Sequence, residues 1–232
     1  MVMDVRSYDV ICFGDEVPGV LAVISASREY LRRTKRYPRI LLMSKASLQE
    51  GIGGHLVRGG LAYLDRSQIS QELQQSLKLD TFGSPATIYK EFLQKSGVKA
   101  IALDPRKASA ALKEMLVQAG ADLLSKVEIQ SVTKQGQKIA SITTSKGVVY
   151  AGKQFIDATV NAELAQAAGV KKLKGFETFG LPNSELPVTL VFETQGLSAR
   201  ALKEFDYIGS ISYLQKHFFL LPSDSFLLAP DS

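Results

Sequence analysis

Near the start of the chain the spacing of apolar positions changes twice. In YDVICFG, residues 8–14, almost every position is apolar, as in a short strand covered on both faces. From Val17 the spacing turns helical: Val17, Val20, Leu21, Ile24 and Leu31 share one face. Pro18 falls in the first turn, where its missing N–H costs nothing. RILLMS, residues 39–44, is a second continuous apolar run and predicts a second buried strand. Strand, glycine turn, helix, strand is a βαβ unit. The two strands are therefore expected side by side and parallel, joined by a right-handed crossover.

The pattern continues through a glycine-rich loop, EGIGGHLVRGGLAYLD (50–65), and helices over 67–78 and 85–95. The clearest helix is 104–120: Asp104 caps it, Pro105 opens it and Gly120 closes it. Ala108, Ala111, Leu112, Met115, Leu116 and Ala119 lie along one of its faces. VEIQSVTKQ, KIASITTS and VVYAGKQFIDAT then read as a strand, a β-meander and a return strand, punctuated by Gly136 and Gly147. A short helix over 161–169 and a strand over 186–194 follow. After about Glu204 the chain is apolar and aromatic without periodicity, and no closing element is expected there.

Composition narrows the class. Hydrophobic residues make up 45% and charged residues 22%, the balance of a globular protein with a core. The net charge of +5 is spread out, and its densest cluster, REYLRRTKRYPR (28–39), ends the first helix, where cations suit the dipole. No aromatic-rich binding motif accompanies it, so nucleic acid is not an expected partner. No run approaches the roughly 20 apolar residues of a membrane span. The N-terminus lacks the basic-then-apolar order of a secretory signal, and a cytoplasmic location is expected. The single cysteine, Cys12, falls inside the first apolar run and reads as a buried, inert thiol. Two histidines and one cysteine lie too far apart to suggest a metal cluster, and no G-x-S-x-G nucleophile motif occurs.

The candidate chemistry lies in FGDEVPGV, residues 13–20. A helix N-terminus after a buried strand presents free N–H groups and a positive partial charge to a diphosphate. Gly14 and Gly19 match the first and third glycines of G-x-G-x-x-G, whereas Glu16 stands at the middle one. If Glu16 points inward it obstructs and repels the phosphates; if outward, only backbone faces them. Asp15 and Glu16 also read simply as complements to the helix dipole. The second strand ends in Ser44, where an acid normally holds the adenosine ribose, and Lys45 follows it.

FGDEVPGV, GIGGHLVRGGLAYLD and QFIDATVNAELAQAAGV, in this order and spacing, resemble the FAD-dependent oxidoreductases of the two-dinucleotide-binding-domain fold. The resemblance covers about residues 8–195. It implies an α/β, Rossmann-like FAD-binding domain with a central parallel sheet, flanking helices and a small antiparallel β-meander. That domain would occupy 1–185, with 186–232 starting an incomplete substrate domain that ends in an irregular tail. It implies FAD as cofactor and hydride transfer between the flavin and an unidentified small organic substrate. Residues placed at the cofactor are Gly14, Glu16, Pro18, Gly19, Ser44, Lys45, Gly53, Gly54, His55, Ile129 through its backbone, Ala158, Thr159 and Val160. Gly53 and Gly54 would lie against the pyrophosphate and ribityl chain, and His55 would meet flavin or substrate. Where the family has A-T-G-D, this chain has Ala158, Thr159, Val160 and Asn161. Glu16, Ser44 and Val160 all point toward weaker FAD binding. Two alternatives stand beside this reading: a non-catalytic module of the same fold acting through protein partners, and an NAD(H)-binding protein without flavin. The apolar tail suggests a partner surface or self-association.

Overall fold

The computed structural model describes residues 4–61, 64, 70–79, 82–99, 101–173, 175–181, 192–195, 218–220 and 225–228. A six-stranded sheet organises the N-terminal part. Strands β1 (Val5–Phe13) and β2 (Ile40–Met43) flank helix α1 (Val17–Thr34) in sequence and pair in parallel, Val10 opposite Ile40 and Phe13 opposite Met43. Strand β1 starts earlier than its apolar run because it pairs along its length with the return strand. Val5 of β1 lies opposite Val149, and Phe13 opposite Asp157.

The remaining helices are α2 (Gly54–Arg58), α3 (Gln71–Ser76), α4 (Thr87–Lys95), α5 (Pro105–Gln118) and α6 (Glu163–Ala167). The other strands of the sheet are β3 (Ala121–Leu124), β4 (Ile129–Gln135), β5 (Lys138–Thr144) and β6 (Val149–Asp157), in the order β3-β2-β1-β6-β5-β4. Strands β3, β2, β1 and β6 are mutually parallel, and β4–β5–β6 is the antiparallel meander expected from the sequence. Strand β3 is a difference from the sequence reading, which placed no strand between the end of α5 and residue 127. Its four residues, ADLL, are too short to show a period and are only half-buried at the sheet edge. The loop at 50–65 likewise contains the single turn α2.

The alternation along β1 and β2 explains their unbroken apolar runs. Val10, Cys12, Ile40 and Leu42 face one core, shared with α1, α4 and α5 through Val20, Ile24, Phe92, Leu112, Met115 and Leu116. Ile11, Phe13, Leu41 and Met43 face a second core, shared with Ile142, Tyr150 and Leu164 of the meander side. A strand covered on both faces has no polar side to show. Helices α1 and α5 are tied together by the buried Ser27 hydroxyl, which donates to the Ala119 carbonyl at 2.7 Å. Asp104 caps α5, accepting from the N–H groups of Arg106 (2.8 Å) and Lys107 (3.3 Å).

A separate three-stranded sheet comprises β7 (Phe192–Gln195), β8 (Phe218–Leu220) and β9 (Ser225–Leu228), antiparallel in the order β7-β9-β8. The strand expected over 186–194 thus appears at its C-terminal end, residues 186–191 lying outside the described residues. The tail, expected to be irregular, contributes β8 and β9. Strands of three and four residues carry too little pattern to be read without their partner. Among the described residues no helix is long and apolar enough to cross a membrane, and no cluster of side chains suits a metal ion.

Candidate cofactor site

Strand β1 delivers the chain to the site at Gly14, whose N–H donates to the Met43 carbonyl at 2.8 Å. Gly14 has φ +104°, and a Cβ there would overlap the Ala158 carbonyl. A Cβ on Gly19 would overlap the Ala158 side chain. Both glycines therefore let α1 and its leading turn press against the exit of β6, whose Ala158 N–H donates back to the Phe13 carbonyl at 2.8 Å. Pro18 lies exposed in the first turn of α1. The N-terminus of α1 has no side-chain cap.

Asp15, buried beside this turn, is the hub of the site. Its carboxylate accepts from Arg58 Nη1 at 2.5 Å and Nη2 at 2.9 Å, a bidentate pair. It also accepts from the Ser44 hydroxyl at 2.7 Å and from the N–H groups of Gly53 and Gly54 at 3.3 Å each. Burial pushes this carboxyl up, but the hydrogen bonds from Arg58 and Ser44 and the guanidinium charge outweigh it and hold Asp15 below its ordinary value. Arg58 is raised in turn, chiefly by its hydrogen bond to Asp15. It also donates to the Gly51 carbonyl at 2.6 Å, fixing the loop that precedes α2.

Glu16 points inward, the obstructing orientation of the two open from sequence. Its carboxylate accepts from the His55 N–H at 3.1 and 3.2 Å and lies 2.9 Å from His55 Nδ1. A Cβ on Gly54 would overlap this carboxylate, so only glycine admits Glu16 so close. The backbones of Glu16 and Gly53 form an isolated parallel bridge.

The third wall is the segment after β6. Asp157 accepts from the Thr159 N–H (3.0 Å), the Thr159 hydroxyl (2.6 Å) and the Ala165 N–H (2.8 Å). The Thr159 hydroxyl accepts from the Glu163 N–H at 2.7 Å. This lattice sets the start of α6 and leaves the Val160 side chain exposed. Lys45 spans from the end of β2 to Glu163 at 2.9 Å. Ser44 does not face outward as a ribose ligand would: it is buried, donates to Asp15 and accepts from the Ala46 N–H at 3.1 Å.

These three segments line an open cavity of about 460 Å³, bordered by Asp15, Glu16, Ser44, Lys45, Gly54, His55, Arg58, Thr159, Val160, Asn161 and Glu163 among others. That is within the usual range for small-molecule sites. Of the residues singled out from sequence, Glu16, Ser44, Lys45, Gly54, His55, Thr159 and Val160 line it. Gly14, Gly19, Gly53 and Ala158 form the frame behind it, and Pro18 is exposed in the first turn of α1. Ile129 does not reach it: it opens β4 opposite Thr144 and packs into the second core. Arg58, Asp157 and Glu163 were missed by sequence reading, and Asp15 was read only as a dipole complement. The signal for Arg58 was its position three residues after His55, on the same helical face.

The sequence matches the family "FAD dependent oxidoreductase" over residues 9–220, and the chain belongs to that family. FAD is its cofactor. No match appears among curated protein sequences. The fold is similar to that of L-proline dehydrogenase from P. horikoshii (13% identity, TM-score 0.52), covering 100% of this chain and 71% of the other. It is also similar to L-amino acid deaminase from Proteus vulgaris (11% identity, TM-score 0.50), covering 99% of this chain and 62% of the other. The fold class is thus the FAD-binding Rossmann-like one, with a mostly parallel sheet flanked by helices.

Proposed function

We propose that the cavity at the ends of β1, β2 and β6 holds FAD, and that the protein passes hydride between the flavin and a small organic substrate. The carrying observation is that the sequence segments 13–20, 50–65 and 154–170, all within the matched range, meet at this one cavity. The backbone frame fits a dinucleotide: a helix of 18 residues starts at the cavity without a side-chain cap, after a glycine held at positive φ. Two side chains do not fit as they stand: Glu16, which occupies the loop junction, and Ser44, which is turned to Asp15.

Bound FAD supplies the two-electron redox centre. The start of α1 and the His55 N–H would hold its diphosphate, and Lys45, Thr159 and Val160 would line the rest of its site. Arg58 acts through Asp15, holding the two glycine loops at a fixed separation. Residues 1–185 form the cofactor domain in this proposal, and 186–232 begin a substrate domain, a division supported by the second sheet. The substrates named for the two structural neighbours, L-proline and L-amino acids, make amino acids a sensible first panel. A cytoplasmic setting belongs to the same proposal, supported by the lone buried thiol.

The test is anaerobic reduction of the FAD-loaded protein by amino acids and other small hydride donors, followed at the oxidised-flavin band near roughly 450 nm. Bleaching by one donor class at substrate-like concentration supports the proposal. A flavin that binds but is bleached only by dithionite argues against hydride transfer by this chain.

A further inference from the structure

Glu16 is the N-cap residue of α1, with φ −59° and ψ 146°, a backbone conformation open to any residue. Its carboxylate does not cap its own helix. It crosses to the other glycine loop and takes the His55 N–H, while Asp15 takes those of Gly53 and Gly54. Three consecutive N–H groups beside the cavity therefore end on carboxylates of the first loop. Backbone N–H groups of this kind, next to the positive end of a long helix, are what a diphosphate requires. Here they already hold anions.

The two carboxylates differ in how firmly they are held. Asp15 is buried and neutralised by the bidentate Arg58. Glu16 keeps 27% of its side chain exposed and lies 2.9 Å from Nδ1 of His55, which is 68% exposed; the Arg58 guanidinium acts on it without a direct ion pair. An exposed pair of this kind adds little to stability. The cavity lies directly beside Glu16 and gives its side chain room to turn away.

We propose that the Glu16 carboxylate is an internal occupant of the diphosphate position: it competes with FAD for the His55 N–H and the start of α1, and FAD binds by displacing it. This rests on the FAD reading above and adds a built-in limit on cofactor affinity. Glu16 is thus an affinity-setting residue, distinct from the Asp15–Arg58 pair that fixes the loops.

The experiment titrates the full chain with FAD and, separately, with inorganic pyrophosphate, comparing wild type, Glu16→Ala and Glu16→Gln by calorimetry. Thermal melts confirm that each variant is folded. Glu16→Gln keeps the shape and the acceptor oxygen, so it remains informative should the alanine variant unfold. The expected result is tighter binding of both ligands by Glu16→Ala, about fivefold in Kd, with Glu16→Gln between it and wild type. Equal or weaker FAD binding by both variants, with wild type binding FAD, overturns the proposal and leaves the FAD reading intact. Tighter pyrophosphate binding with no FAD binding by any form supports the occupant and removes the FAD reading. No gain for either ligand overturns the occupant.

Discussion

At the scale of single residues, the site is held by charge rather than by apolar packing. Asp15 is almost fully buried, and an unpaired carboxylate there would be costly. Arg58 retains 22% of its side-chain exposure, so the cost of removing it falls below the fully buried range. Arg58→Ala is expected to destabilise the protein by about 2 kcal/mol near neutral pH, measured by urea unfolding. The pH dependence follows from the same pair. The folded Asp15 carboxyl lies below its ordinary value of 3.8, so its stabilisation is complete above that value and is lost as pH falls below it. In Arg58→Ala, burial is no longer opposed by the guanidinium, and this acid-side loss is expected to flatten. A variant that keeps the wild-type slope would show that Arg58 is not what depresses Asp15. Cys12 carries a second expectation. Burial, then the charges of Asp157 and Asp15, push its thiol up to about 12. Ellman's reagent should therefore label the native protein at mildly alkaline pH only at the rate of unfolding, and label it at once in denaturant. Rapid native labelling would contradict its placement in the core.

At the scale of elements, legibility followed length and local punctuation. Helix α5 was readable from Asp104, Pro105 and its spaced apolar face, and the cap is geometrically present. Asp104→Ala is expected to lower stability by about 1 kcal/mol, since two N–H groups lose their acceptor. A thermal melt indistinguishable from wild type would mean that water replaces the cap fully. The βαβ unit was readable because two continuous apolar runs flank one long helix that carries its own period. Strand β3 was not, since ADLL has neither alternation nor β-branched residues and is specified by its parallel neighbour β2. Strands β8 and β9 depend in the same way on each other and on β7. In the site, Gly14 was legible as a tight turn and Gly19 as a close helix–strand approach, but the residue that approaches them was not. Gly14 and Gly19 are demanded by the approach of Ala158, a contact separated from them by more than 130 residues of sequence. The inward turn of Glu16 was equally unreadable, because it depends on Gly54 leaving space across the cavity. Ile129 was placed at the cofactor by resemblance alone, through its backbone; its side chain packs against the second core.

At the scale of the whole molecule, the parallel strands β3, β2, β1 and β6 end on one side, and the cavity lies where the chain leaves β1, β2 and β6. Open parallel sheets place ligands outside the carboxyl ends of their strands. Family membership supplies the cofactor, and the proposed location rests on the convergence of the three segments. Amide hydrogen exchange with and without FAD tests that location most directly. Added FAD is predicted to slow exchange in three separate stretches, 14–20, 53–59 and 158–163, while the β4–β5 turn at 135–138, at the edge of the sheet, is unchanged. Protection absent from all three stretches under saturating FAD, or confined to another part of the chain, would contradict the account.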